Sequence, residues 1–331
     1  MRIPSILTAL GIAACLLSCG KAVPGDGTVR FRLSYGNTRA AFSGMTGADG
    51  VEHIDWEKGD RIRIASPQAH RADGDERLFA DYRVETVRTD GSSSFATVTP
   101  DGPSGLCWGD GEHTFHAVYP APEEEDIGLT DSLFQGRIPA GQILSWDEGE
   151  GRPDPHLLTL LASAEGVKTE ETVSLAFRPA FTAVSFSISL DDANPVPISS
   201  FRLESSGGPL AGSFRTGWTG NAVPEAGEDA SAAVSIPLDR TLEKGRPITF
   251  TVICLPLALS GLKAVFETGY GTKSLTLSYS DGTPVTFPAC SKARITGLLL
   301  PGAPDIAFSI IGLEPWEEAR EEAEAGDLLT E

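Results

Sequence analysis

Ala180-Phe181-Thr182-Ala183-Val184-Ser185-Phe186-Ser187-Ile188-Ser189-Leu190 places apolar side chains at nearly every second position. Successive side chains of a strand point to opposite faces, so a period of two marks a β-strand with a buried face. Phe181, Ala183, Val184, Phe186, Ile188 and Leu190 make this a central strand. The same alternation runs through Thr172–Phe177 just before it. Further strands are expected at 198–203, 211–214, 232–236, 248–255, 262–266, 273–279, 284–287 and 293–300.

The first half repeats the pattern less regularly. Val29, Phe31, Leu33 and Tyr35 alternate with Arg30, Arg32 and Ser34. Ile62 and Ile64 follow a turn at Lys58-Gly59-Asp60, and strands are expected at 82–87, 94–98, 114–119 and 157–161. Asp-Gly pairs at Asp73, Asp90, Asp101, Asp110 and Asp281 supply turn chemistry. The 36 glycines and 23 prolines follow no fixed period, which fits many turns between short strands. Short strands about ten residues apart with such turns predict an all-β protein of sandwich type. Ser163-Ala164-Glu165-Gly166 breaks the pattern, so two domains are expected, at 28–166 and 167–302. An acidic tail, 303–331, follows them and reads either as a short helix from Pro315 or as disordered.

The amino terminus has its own chemistry. Met1 and Arg2 precede an apolar run from Ile6 to Leu17, too short to span a bilayer that needs about 20 residues. Leu16-Leu17-Ser18-Cys19-Gly20 has the pattern of a bacterial lipobox. It predicts a signal peptide over 1–18, cleavage between Ser18 and Cys19, and acylation of the Cys19 thiol. Several acyl chains anchor firmly where one binds marginally. Removing 18 of 331 residues leaves 313, and residues 19–27, rich in Gly, read as a tether.

A formal charge of −20 argues against nucleic acid and against an anionic membrane surface. Between Ala303 and Glu331 nine carboxylates face Arg320 alone. Besides Cys15 and Cys19 the cysteines are Cys107, Cys254 and Cys290, an odd number that cannot form a complete disulfide framework. Cys254 lies in an apolar run and reads as a buried thiol, with a Cys254–Cys290 disulfide the alternative.

Motifs of catalysis are few. His113 and His116 are three apart and face opposite sides of a strand. Asp73-Gly74-Asp75-Glu76 lacks the ligand spacing of a calcium loop. No nucleophile elbow, phosphate loop or dinucleotide fingerprint occurs. No catalytic residue, metal ligand or cofactor is expected. The tryptophans 56, 108, 146, 218 and 316 read as core and turn residues or, if exposed like Trp108 or Trp218, as platforms for sugar rings.

Thr38-Arg39-Ala40 followed by Ile54-Asp55-Trp56-Glu57-Lys58-Gly59-Asp60-Arg61-Ile62 resembles the Bacteroidales fimbrillin (Mfa-like) family. Leu175-Ala176-Phe177-Arg178-Pro179-Ala180-Phe181 is similar to the opening of that family's second domain, and Ile295-Thr296-Gly297-Leu298 adds to the likeness. The resemblance implies two tandem transthyretin-like β-sandwich domains and a structural or adhesive role without catalysis. It implies cleavage between Arg39 and Ala40, loss of the Val29–Tyr35 strand, and donation of a strand by another subunit. Ile306, Phe308 and Ile310 are the candidate donor positions; Arg39 as a plain loop residue is the alternative. Implied partners are other fimbrial subunits or a surface ligand, at the outer membrane through the Cys19 lipid. Gly20-Lys21-Ala22-Val23 holds no acidic run of the kind associated with outward display. A monomeric binding lipoprotein for glycans is the competing expectation.

Overall fold

The computed structural model describes residues 27–35, 56–90, 93–123, 132–167, 172–220, 222–277, 284–299 and 307–315. The main strands, in chain order, are β1 Phe31–Tyr35, β2 Arg61–Ala65, β3 Phe79–Asp90, β4 Ser93–Pro100, β5 Glu112–Tyr119, β6 Leu160–Val167 and β7 Val173–Pro179. They continue with β8 Thr182–Leu190, β9 Val196–Ser205, β10 Ala233–Leu242, β11 Ile248–Cys254, β12 Leu262–Thr268, β13 Gly271–Thr276, β14 Ser291–Leu299 and β15 Ala307–Pro315. The described residues hold no α-helix.

Strands β1 to β7 close into a barrel in the order β1-β7-β6-β5-β2-β3-β4. Closure depends on β1, which pairs parallel with β7 and antiparallel with β4. Beyond the barrel lie a six-stranded sheet, β15-β14-β8-β11 with Glu150–Pro153 and Leu144–Asp147, and a four-stranded sheet, β10-β9-β12-β13. Alternation places Phe186, Phe201, Phe250 and Phe266 between those two sheets. The 186–201, 201–250 and 201–266 pairs meet edge-on or tilted, with centroids 4.8, 4.9 and 4.9 Å apart, and the 186 and 250 rings stack at 5.5 Å.

Two apolar cores result, and β8 belongs to both. Ala183 and its partner Ile253 join the barrel core, while Val184 and its partner Val252 join the second. That is why the apolar run of β8 breaks step at Ala183-Val184: both faces are buried there. The barrel core extends beyond the barrel to Phe134, Phe214, Trp218 and Leu255.

Several expectations change. The break at 166/167 falls inside the barrel, because β7 pairs with β6 and β1. Residues 133–153, expected in the first half, instead pair with the second. Leu133–Ile138 lies against Gly212–Gly217, and Glu150–Pro153 against β11. These strands escape a pattern search because each is short and its partners are distant in sequence. Gly136 sits where a Cβ would come within 2.6 Å of the Phe214 ring, so the flanking aromatics replace a side chain there. Of the expected strand at 157–161, Leu160 and Leu161 open β6, whereas Leu157 ends a 3-10 turn, Pro155–Leu157, capped by Asp154, whose Oδ1 accepts from His156 N at 2.9 Å. Residues 307–315, expected in the acidic tail, form the edge strand β15.

Candidate functional site

The described core-facing positions before and within β1 are filled by apolar side chains. Val29, Phe31 and Leu33 are buried, while Arg30 is exposed and Arg32 and Ser34 half-buried. The Phe31 ring meets Tyr82 and Phe115 edge-on, both at 5.2 Å. Leu33 stands between Leu175 of β7 and Ala96 of β4. Its backbone is held on both sides. Val29 N donates to Leu106 O (2.9 Å), Trp108 N to Gly27 O (2.9 Å), and Val173 N to Arg30 O (2.9 Å). Burial of a Val, a Phe and a Leu contributes about 5–8 kcal/mol as an upper bound. Without β1 an apolar slot with two unpaired strand edges remains, and such a slot fits another alternating strand.

The Trp-x-x-Gly-Asp-x-Ile motif braces this barrel. The Trp56 indole meets Tyr119 and Phe177 edge-on at 5.3 and 5.1 Å. Gly59 has φ +100, a conformation that suits glycine, and its N donates to Val84 O (2.9 Å). Asp60 Oδ2 accepts from Glu57 N (2.8 Å) and Oδ1 from the Tyr119 hydroxyl (3.3 Å). Burial outweighs these bonds and pushes the Asp60 carboxyl up to about 6. Ile62 is buried in the core.

Two of the candidate donor positions, Phe308 and Ile310, lie in the edge strand β15. Phe308 pairs with Gly297 and Ile310 with Ile295, so β15 runs antiparallel to β14 at the edge of the six-stranded sheet. Ile306, Cys19, Ser18, Arg39 and Ala40 lie outside the described residues.

No family model and no curated protein matches the chain. Solved structures do. A candidate cell adhesion protein from Bacteroides uniformis aligns over 89% of this chain and 100% of its own, with TM-score 0.55 and 17% identity. One from Bacteroides ovatus aligns over 88% and 99%, with TM-score 0.54 and 17% identity. The chain has the fold of these Bacteroides adhesion proteins. The fold agrees with the fimbrillin-like resemblance read from the Trp56–Ile62 and Leu175–Phe181 segments.

Within this fold the histidines, the acidic turn, the cysteines and the tryptophans make internal contacts. His113 is buried; its Nε2 accepts from Gly109 N (2.9 Å) and its Nδ1 lies 3.1 Å from Gly111 O. His116 points the other way and stacks on Trp218 at 4.5 Å, where burial lowers its pKa. Asp73 binds Arg71 (2.9 Å), and Asp75 binds Arg77. The bond from Arg71 is the first reason why Asp73 titrates well below the usual range. Cys107, Cys254 and Cys290 are free thiols, and burial pushes Cys254 up to about 12. Trp108 and Trp218 are buried, which removes them as sugar platforms. Trp146, half-buried, lies 4.7 Å under the Arg240 guanidinium.

Sequence reading missed Gln142. It is buried, and its amide pairs with the backbone of Ile253 like one more strand residue: Nε2 donates to Ile253 O (2.6 Å) and Oε1 accepts from Ile253 N (3.1 Å). Nothing in its local sequence signals this role.

Proposed function

We propose that the chain is a lipid-anchored structural or adhesive subunit, or accessory, of cell-surface fimbriae, built from tandem β-sandwich domains and assembled by strand exchange. In this reading Cys19 carries the acyl chains and holds the protein at the outer membrane. Cleavage between Arg39 and Ala40 releases β1 with the lipid. The emptied slot between β4 and β7 then accepts an alternating strand from a neighbouring subunit, with Ile306, Phe308 and Ile310 as the donor positions. The observation that carries this reading is β1 itself, which is hydrogen-bonded on both sides and fills the core with Val29, Phe31 and Leu33. Main-chain pairing supplies affinity and the alternate pockets supply register. Support also comes from the fold shared with the two Bacteroides adhesion proteins.

The test is to isolate the native protein from outer membranes and run it in detergent with and without boiling. A ladder that collapses on boiling, with an amino terminus at Ala40, is the expected result. A single band still acylated at Cys19 overturns strand exchange for this chain and favours a monomeric binding lipoprotein.

A further inference from the structure

The three inward positions of the slot that β1 fills differ in kind. At position 31 the side chain enters an aromatic cage. Phe31 meets Tyr82 and Phe115 edge-on at 5.2 Å each, and Phe115 meets Trp108 edge-on at 5.5 Å. At position 33 the cross-strand neighbours are Leu175 and Ala96, both buried, which suits a branched aliphatic side chain. At position 29 the backbone matters too, because Val29 N donates to Leu106 O (2.9 Å). That position disfavours proline, which has no N–H. Of the outward positions, 32 is polar: Arg32 donates to Ser174 Oγ (3.2 Å) and borders Thr97. Position 34 borders Phe95 and Ala176.

The segment Pro304-Asp305-Ile306-Ala307-Phe308-Ser309-Ile310-Ile311-Gly312 fits this slot in one way. With Phe308 at position 31, Ile306 falls at 29 and Ile310 at 33, so every inward site receives an apolar side chain. Ser309 then stands at 32, between Ser174 and Thr97, and Ile311 at 34, beside Phe95. A shift of two residues places Phe308 at 33 and Pro304 at 29, where no N–H is left for Leu106 O. The opposite shift places Gly312 at 33 and leaves a cavity where Leu33 was. A shift of one turns Ser309 into the core, because side chains alternate. Reversing the strand places Pro304 at 35, between β4 and β7, where it brings no N–H to either ladder.

We propose that residues 306–312 of a second copy enter the emptied slot in this single register, in the direction of β1, with Phe308 in the Tyr82–Phe115 cage setting it. The inference rests on the strand-exchange reading above and names its partner as another copy of this chain. Among the described residues β15 pairs with β14 alone, whereas β1 pairs on both sides. The donated strand therefore exchanges one hydrogen-bonded neighbour for two.

The experiment uses the full chain, processed in its own cells, with Thr97→Cys and Ser309→Cys together. In the proposed register residue 309 of one copy lies opposite residue 97 of the next, with Cα atoms about 5 Å apart, inside disulfide range. Residues 307 and 311 lie about 7 Å further along the strand, out of that range. Oxidation of T97C/S309C is expected to give a ladder that survives boiling without reductant and collapses with it. T97C/A307C and T97C/I311C should give at least about fivefold less of it. Without any added cysteine, Phe308→Ala should lower the temperature at which the ladder collapses by more than Ile311→Ala does. Equal or greater crosslinking through residue 307 or 311, or an equal effect of the two alanine variants, overturns the register and leaves strand exchange standing. A boiling-sensitive ladder with no crosslink from any of the three positions overturns this segment as the occupant. Absence of a ladder in the wild-type protein overturns strand exchange and this inference with it.

Discussion

Phe31, Asp60 and Gln142 show three ways in which one side chain decides the barrel and its junction. Phe31 fills space between Tyr82 and Phe115, so Phe31→Ala leaves a cavity; a loss of about 3–5 kcal/mol in urea unfolding is expected. Gln142→Ala strands the buried N–H and C=O of Ile253, and a loss of about 2–4 kcal/mol is expected by the same measurement. Asp60 acts through pH. Its folded value of about 6 lies above its unfolded 3.8, so the folded protein holds the proton more tightly. Asp60 therefore adds stability at pH below about 4, and this is lost as pH rises through about 6. Asp60→Asn mimics the protonated form. The stability of that variant relative to wild type should be higher at pH 7 than at pH 4, by about 1–2 kcal/mol in paired denaturation curves. A difference that does not change with pH would remove this account of Asp60.

Among the elements, β1 and β13 make opposite predictions for amide exchange. β1 has a partner on each side and a buried face, whereas β13 is the edge of its sheet and, among the described residues, pairs with β12 alone. Its one buried polar residue, Lys273, points inward, a common device for blunting an edge. Hydrogen exchange by mass spectrometry should find residues 29–34 protected nearly to the level of β8, and 271–276 exchanging faster. Rapid exchange across β1 would mean that the strand is loosely held and that its release needs no cleavage. β1 was legible in sequence because one face is buried and the other wet, which writes a strict alternation. The strands at 133–153 were not legible. They are four to six residues long and fewer than half of their positions are buried, so no run grows long enough to stand out.

At the scale of the whole molecule, the two cores share β8, and residues 133–153 leave the barrel to pair with the second part. Trp218 seals the junction, stacked on His116 and edge-on to Phe134 at 5.5 Å, and the Arg178 guanidinium donates to the Gly217 and Trp218 carbonyls. Cores joined through a common strand unfold together, so calorimetry should show one transition in the full chain. Trp218→Ala should split or broaden it, while two transitions in the wild type would mean that the halves fold independently. The amino-acid sequence alone was enough for the all-β class, for most strand positions and for the turn at Lys58-Gly59-Asp60, because period-two burial and turn chemistry are local properties. Its reading of the lipobox rests on local pattern too. Where the barrel closes, which core each end of β8 serves, and that Trp108 and Trp218 are buried could not be read locally. Those facts depend on which distant strand lies alongside, and the free energy that selects that pairing comes from apolar area buried across long sequence separations.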